Sequence, residues 1–598
     1  MNLNSPQPLR STQQAVLHAP GEPPPGSIAS SSKTDSLASA PRKNNTPVEA
    51  SAASLQRMQQ SQGGARSRDT VPPIRLSEEV VQRVRTLAAG VMPAVVAYRQ
   101  DIHQHPELSG AEVRTAGVAA RHLRGLGIDT EENVGGHGVV GTLQSGKPRK
   151  VVALRADMDA LPLQEATQLP FSSENPGVMH GCGHDGHTAM LMGAASVLTQ
   201  MQSEGLLQNA AVKFIFQPAE EKGTGAKAMI AAGVMKGVDV IFGHHIHPGL
   251  RAGEIHMLSG PLLAAANALN VSFTEDGNAT QVSHKSLLSV AHTVKALNKR
   301  NSPIGDPNKR DVVATPTTLG NSKRPINVSP EFATVSAEIR VSGGQQAAIE
   351  EEIGRMANNV ADKAQQTVEV TFSPTASADT TMMQATFHGK PTHAGMPEAG
   401  KNPVLPAAKM ARRLEKAYNQ QDVPVHVTLK DLRDSAAPQE GPPVARLGAS
   451  VRTFGEDVRT NTLDGIQRHA VETAAAMGQK SEVNLLKDGN YSTTDNPEAE
   501  TTAMQQALSS AGEQVRNGQR VTASEDFSEY QKVRNEKGDV IPGVFSLVGA
   551  GWDDREPKNV SGHHQPKFDF NEAAMEAGIR SLVLQTLSYL EPAAGAAR

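Results

Sequence analysis

The stretch His180-Gly-Cys-Gly-His-Asp-Gly-His187 packs one thiol, three imidazoles and a carboxylate into eight residues, with glycines that let the backbone turn tightly around whatever those side chains hold. Cys182 is the only cysteine in 598 residues, so no intramolecular disulfide is open to it. His184, two residues on, is near enough for both to meet one metal ion. A metal site is favoured over a glycine-rich turn with surface histidines because acidic and imidazole clusters recur downstream.

Around this stretch, apolar segments of strand length at 139–143, 151–154, 212–216 and 238–242 alternate with helical patterns at 188–202 and 223–234. That rhythm predicts an α/β fold with a mainly parallel sheet. Candidate ligands fall after successive strands: Asp157 and Asp159, then Glu220 and Glu221, then His244, His245 and His247. Sites in open α/β sheets lie outside the carboxyl ends of the strands, so the placement suits a functional cleft. Upstream, a helix is expected from a capping start at Ser77, interrupted around Gly90 and Pro93, and another over 111–126.

Between 261 and 486 the pattern changes and occurs twice. Each copy reads strand, helix, two strands, helix, strand, with an arginine ending a corresponding strand, Arg340 in the first and Arg452 in the second. This predicts an inserted pair of α+β lobes of split βαββαβ type, at 261–376 and 377–486. The catalytic domain then comprises 74–260 and 487–598. The first 73 residues are rich in Ser, Pro, Gln, Ala and Gly without apolar periodicity, and are expected to be disordered. Their composition resembles the unstructured export leaders of bacterial type III effectors. Either the bacterial cytoplasm or export through such an unconventional signal is the expected location.

A formal net charge of -4 and 3% aromatic residues argue against nucleic acid as a partner, and no run of 18 or more apolar residues argues for a membrane span. Adjacent Glu220 and Glu221 at a strand end point opposite ways, so one carboxylate can hold metal while the other takes a proton from the attacking water. Alternation likewise puts His244 and His245 on opposite faces, so the three histidines at 244–247 cannot all be ligands. His563 and His564 pose the same choice. Asp157 and Asp159 share a face, which suits carboxylates that orient ligand histidines.

Taken together, DIHQHPELSGAEVRTA, LRADMDALPLQE, MHGCGHDGHTAML, FIFQPAEEKGTGAKAMI, IFGHHIHP, SEDFSEY and HHQPKF resemble the dinuclear metallopeptidase family of carboxypeptidase G and aminoacylase. The match is greatest with its amidohydrolase branch of hippurate and auxin-conjugate hydrolases. The resemblance implies that Cys182, His184, Glu221, His245 and His564 bind two divalent metal ions, zinc or manganese, and that Glu220 is the general base. It also implies hydrolysis of the amide bond of an N-acyl amino acid or dipeptide. The family's single satellite domain carries a histidine motif, an Asn-Val-x-Pro motif and an arginine. Here the set is divided, with Asn327 and Arg340 in the first lobe and His393 and Arg452 in the second. The expectation is that the two lobes complete one site within one chain, with His393 stabilising the oxyanion, Asn327 holding the carbonyl, Arg452 clamping the substrate carboxylate, and the protein a monomer rather than a dimer. The competing reading is a non-catalytic or exported member that binds a partner protein through the doubled lobes; the intact Glu220-Glu221 pair argues against it.

Overall fold

The computed structural model describes residues 76–274, 282–300, 311–320, 322, 328–341, 345–375, 380–395, 397–418, 425–434, 445–486, 490–552 and 561–590. The leader read above as disordered lies outside these residues, as does Asn327.

Ser77 starts helix α1, Glu78–Gln104: its hydroxyl accepts the Val80 N–H, and Glu78 and Glu79 occupy the first turn, where the helix dipole favours them. The interruption expected near Pro93 does not occur. Pro93 lies inside a continuous helix, and the stripe Val84, Ala88, Val95 and Ile102, packed in the core, outweighs the one backbone hydrogen bond it removes. By length and composition α1 is also the one described helix that would suffice to cross a bilayer, but that stripe is given to the core instead. Helix α2 follows at Val113–Gly125.

Eight strands form the main sheet: β1 (Asp129–Val134), β2 (Gly138–Ser145), β3 (Lys150–Asp157), β4 (Ala210–Gln217), β5 (Val240–Arg251), β6 (Glu254–Met257), β17 (Gln514–Asn517) and β18 (Gly543–Gly551), in the order β1-β2-β4-β3-β5-β18-β6-β17. The central four, β4-β3-β5-β18, are parallel. They are buried on both faces, as parallel strands must be. Val152, Leu154, Phe214, Phe216 and Phe242 face α1, α3 (His184–Ser203) and the last helix, α11 (Ala574–Leu590), while Ala153, Ile215 and Ile241 face α4 (Gly225–Ala231) and α10 (Phe527–Tyr530). Glycines set the α3–α11 spacing: a Cβ on Gly578 would stand 2.2 Å from the Met190 sulfur.

The lobes are real elements in an arrangement other than the expected one. Strands β8 (Ala265–Thr274), β9 (Val312–Leu319), β14 (Ala445–Thr453) and β15 (Lys480–Leu485), with helices α5 (His284–Arg300) and α8 (Glu456–Met477), form an outer unit whose sheet order is β15-β8-β14-β9. Strands β10 (Phe332–Val341), β11 (Thr367–Pro374), β12 (Thr380–His388) and β13 (Val425–Arg433), with α6 (Gln346–Ala364) and α7 (Val404–Tyr418), form an inner unit of order β11-β12-β10-β13. Each is a βαββαβ unit with the same internal order, and the inner one lies wholly between β9 and β14 of the outer. The boundary placed at 376/377 therefore cuts a hairpin, since β11 and β12 pair from Thr367↔His388 to Pro374↔Thr381. A run of βαββαββαββαβ reads identically whether two units follow one another or one is nested in the other; only strand pairing distinguishes the two.

Both units share one core, which joins Leu269, Val271 and Phe273 of the outer sheet to Val335, Ile339 and Phe387 of the inner. His284 on α5 accepts the Leu429 N–H at 2.8 Å through Nδ1 and pairs with Glu415 on α7 at 2.9 Å. A shared core predicts shared unfolding. Ile339→Ala and Phe273→Ala, each costing about 2–5 kcal/mol, should lower a single urea midpoint for both units, followed by hydrogen exchange of peptides from each sheet; two separate midpoints would show that the units fold independently.

Candidate active site

The cleft lies outside the carboxyl ends of β3, β4 and β5, where the turn before α3 delivers Cys182 and His184. Gly183, with φ 99, makes the left-handed step into that helix. Asp159, just past β3, organises what surrounds it. Its carboxylate accepts the Ser109 hydroxyl at 2.6 Å, His184 Nδ1 at 3.2 Å, and the backbone N–H groups of Glu220 and Glu221 at 3.1 and 3.0 Å. With Nδ1 so engaged, also at 2.8 Å from the Asp159 carbonyl, the buried Nε2 of His184 is left free of protein hydrogen bonds.

All five residues assigned as ligands by resemblance come together. Donor atoms of Cys182, His184 and His245 lie within 4.8 Å of one another, as do those of Cys182, Glu221 and His564. The two sets share the thiol. Cys182 Sγ is 3.5 Å from His245 Nε2, and His564 Nε2 is 3.0 Å from Glu221 Oε1. His564 holds a left-handed backbone, φ 61, uncommon outside glycine, and its N–H bonds the Gly181 carbonyl at 2.8 Å. Buried imidazole, thiol and carboxylate donors aimed at common points, with His184 Nε2 lacking a protein hydrogen bond, are the set that divalent metal ions would satisfy.

The remaining histidines sort by their hydrogen bonds. His187 is fully engaged, donating to Asp157 at 2.6 Å and accepting the Ile246 N–H at 2.8 Å, so it orients the site and holds no ion. His245 and His563 both donate to the Ile246 carbonyl, at 2.7 and 2.9 Å, which turns the Nε2 of His245 toward Cys182. His244 faces Ser546 instead, at 2.6 Å.

Buried charge is balanced beneath the site. Arg155 reaches Asp157, Glu525 and Asp526 at 2.6, 2.8 and 2.9 Å. Burial pushes Asp157 upward, yet His184, Arg155 and His187 hold it well below the carboxylate range. Burial lifts Glu525 to about 8 despite Arg155. Glu220 is raised well above its ordinary value by burial and then by Glu525, Asp526 and Glu221.

A cavity of about 960 Å³ opens here, lined by Cys182, Glu220, Glu221, His245 and His564 and, from the lobes, by Asn270, Ser450, His393 and Arg452. The inner unit thus brings His393 to the cleft of its own chain, with its ring 4.6 Å from that of His564. Burial first, then Arg452, His564 and His563, hold its pKa well below the ordinary value. Arg452 is 3% exposed and pairs with no carboxylate among the described residues: it reaches Ser524 Oγ at 2.8 Å, Ser450 Oγ at 3.2 Å, the Thr522 carbonyl at 3.4 Å and His393 Nε2 at 3.4 Å. Arg340, the other arginine considered, is 59% exposed and paired with Glu338 away from the cavity. Sequence reasoning gave no role to Ser109, Ser524 or Glu525, which all lie within quoted motifs, and did not single out Tyr491, which lies outside them.

A model of peptidase family M20/M25/M40 matches residues 153–585. The chain is 37% identical to thermostable carboxypeptidase 1 of Saccharolobus solfataricus over 44% of its own length and 67% of that protein's. It is 39% identical to an N-acyl-L-amino acid amidohydrolase of Geobacillus stearothermophilus over 35% of its length and 56% of the relative's. Among solved structures, a dinuclear metal-binding peptidase of Bacillus subtilis shares the fold, with a TM-score of 0.52 and 23% identity over 84% of this chain and 99% of that one.

Asp159→Asn should leave the fold intact and weaken metal retention about 10–100-fold, the usual effect of removing a partner that orients a ligand. Competition with a chelator measures it; unchanged affinity would mean that His184 is held by packing alone.

Proposed function

This chain belongs to peptidase family M20/M25/M40 and is a metal-dependent amide hydrolase; we propose that the amide it cleaves is that of an N-acyl amino acid or a dipeptide. The observation that carries this reading is the meeting, in one cavity, of a buried donor set from the catalytic domain with a buried arginine from the outer unit that has no acidic partner among the described residues. Cys182, His184, Glu221, His245 and His564 would hold two divalent ions, zinc or manganese. Bound there, such a pair supplies Lewis acidity toward the amide carbonyl and makes water a nucleophile near neutral pH.

The chain's own residues supply the rest. Arg452, which burial pulls down to about 10, remains charged at neutral pH. A buried cation without an acidic partner is costly, and a substrate carboxylate would relieve that cost with a two-pronged hydrogen bond. Glu220 is the general base. Its raised proton affinity suits a group that takes a proton from water and returns it to the leaving amine. His393 accepts the Gly395 N–H on Nδ1 at 3.3 Å and its Nε2 stands 3.4 Å from Arg452 Nη2; once a substrate carboxylate draws the guanidinium, Nε2 would carry the proton that it donates to the oxyanion formed when water attacks. Because His393 comes from the inner unit of the same chain, one chain completes one site.

A panel of N-acyl amino acids and dipeptides offered to metal-loaded protein tests the substrate class; no turnover of either would sink it. Glu220→Gln should keep its metal and lose about 10²–10⁴ in turnover, since an amide accepts no proton. Loss of metal from this variant, with retention in Glu221→Gln, would reverse the two roles. His393→Ala should cost about 10² or more in kcat. Mixed with Glu220→Gln it should recover nothing, whereas recovery toward a quarter of wild-type activity, from hybrid dimers, would place the histidine of one subunit in the site of another.

A further inference from the structure

Two connections join the lobes to the catalytic domain, and they cross side by side. Strand β7 (Gly260–Leu263) pairs with β16 (Thr494–Asn496) on the catalytic side. Nearer the lobes, Ala266 and Tyr491 exchange both backbone hydrogen bonds, at 3.0 and 2.9 Å. Tyr491 therefore sits where both chains leave the catalytic domain, and its side chain lines the cavity.

Its hydroxyl reaches the turn that carries the two glutamates, donating to the Glu220 carbonyl at 2.9 Å. That carbonyl also accepts the Gly223 N–H at 2.7 Å, which closes the turn. Gly223 has φ +66, and a Cβ there would stand 3.2 Å from Tyr491 Cζ and 3.3 Å from the Asn490 carbonyl, so turn and crossing are in direct contact. Asp159 grips the same turn from the opposite side through the Glu220 and Glu221 N–H groups. One anchor belongs to the catalytic domain and the other to the crossing.

We propose that Tyr491 is a positioning residue that ties the Glu220–Glu221 turn to the crossing, so that these carboxylates are held at their working places when the lobes stand over the cleft. The proposal rests on the reading of Glu220 as base. Tyr491 acts through the Glu220 backbone and touches no reacting atom. The crossing does not need the hydroxyl: the Ala266–Tyr491 backbone pair, the Leu486 N–H to the Ala268 carbonyl at 2.8 Å and Asn267 to Asn490 at 3.2 Å all remain without it.

Tyr491→Phe in the full-length, metal-loaded protein separates this role from a merely structural one. Expected are a fall in kcat of about 3–10-fold, the worth of one hydrogen bond, an unchanged KM and metal content, and faster amide exchange confined to residues 220–225, read by mass spectrometry without substrate. Unchanged exchange at that turn overturns the proposal, as does a rise in KM with kcat preserved. The exchange measurement needs no turnover. An active Glu220→Gln would overturn the base reading alone, while a silent exchange result in Tyr491→Phe would overturn the positioning role even with Glu220→Gln inactive.

Discussion

The Asp159 carboxylate is the constraint on which the cleft depends. Four donors converge on it from three parts of the chain: the Ser109 hydroxyl, His184 Nδ1 and the two N–H groups of the glutamate turn. It fixes in one stroke which nitrogen of His184 faces the cleft and where Glu220 and Glu221 leave the backbone. A buried carboxylate is tolerable only when its lone pairs are filled, and here filling them orients the site. The Ile246 backbone plays the complementary part on β5, its N–H bonding His187 and its carbonyl holding both His245 and His563.

Charge compensation ties this arrangement to the helices. Asp185, next to His184, is paired with fully buried Arg99 at 2.9 Å, and that guanidinium is stacked between Phe171 and Phe570 at 4.7 and 4.5 Å. Arg99 comes from α1, so the long N-terminal helix is coupled to the start of α3. Arg155 does the same beneath β3 for the acidic pair Glu525 and Asp526. Removing either arginine would take the guanidinium counter-charge from buried acids, a far larger penalty than losing a surface pair.

Nesting explains how one chain can cover both sides of its cleft. The outer unit presents Arg452 on β14, and the inner unit, inserted between β9 and β14, presents His393 beyond β12. The two groups approach to 3.4 Å, Arg452 Nη2 to His393 Nε2. The two units that carry these groups share one hydrophobic core.

By itself the sequence determined the α/β class, the strand-end positions of Asp157, Asp159, Glu220, Glu221 and His245, and the doubled βαββαβ pattern, because apolar periodicity and ligand spacing are local properties of the chain. It determined too that His244 and His245 diverge, since strand alternation requires it. Only the tertiary structure decided that Pro93 stays within α1, because core packing overrides a single local breaker. The same holds for Arg452 over Arg340, which end strands of similar local sequence but lie on the third strand of the outer unit and the first strand of the inner one, only the former lining the cavity. Nesting of the lobes and the grip of Tyr491 on Glu220 were likewise invisible in the chain's order. Both depend on pairings between residues more than a hundred positions apart, and no periodic pattern records which distant partner a strand edge or a hydroxyl will meet.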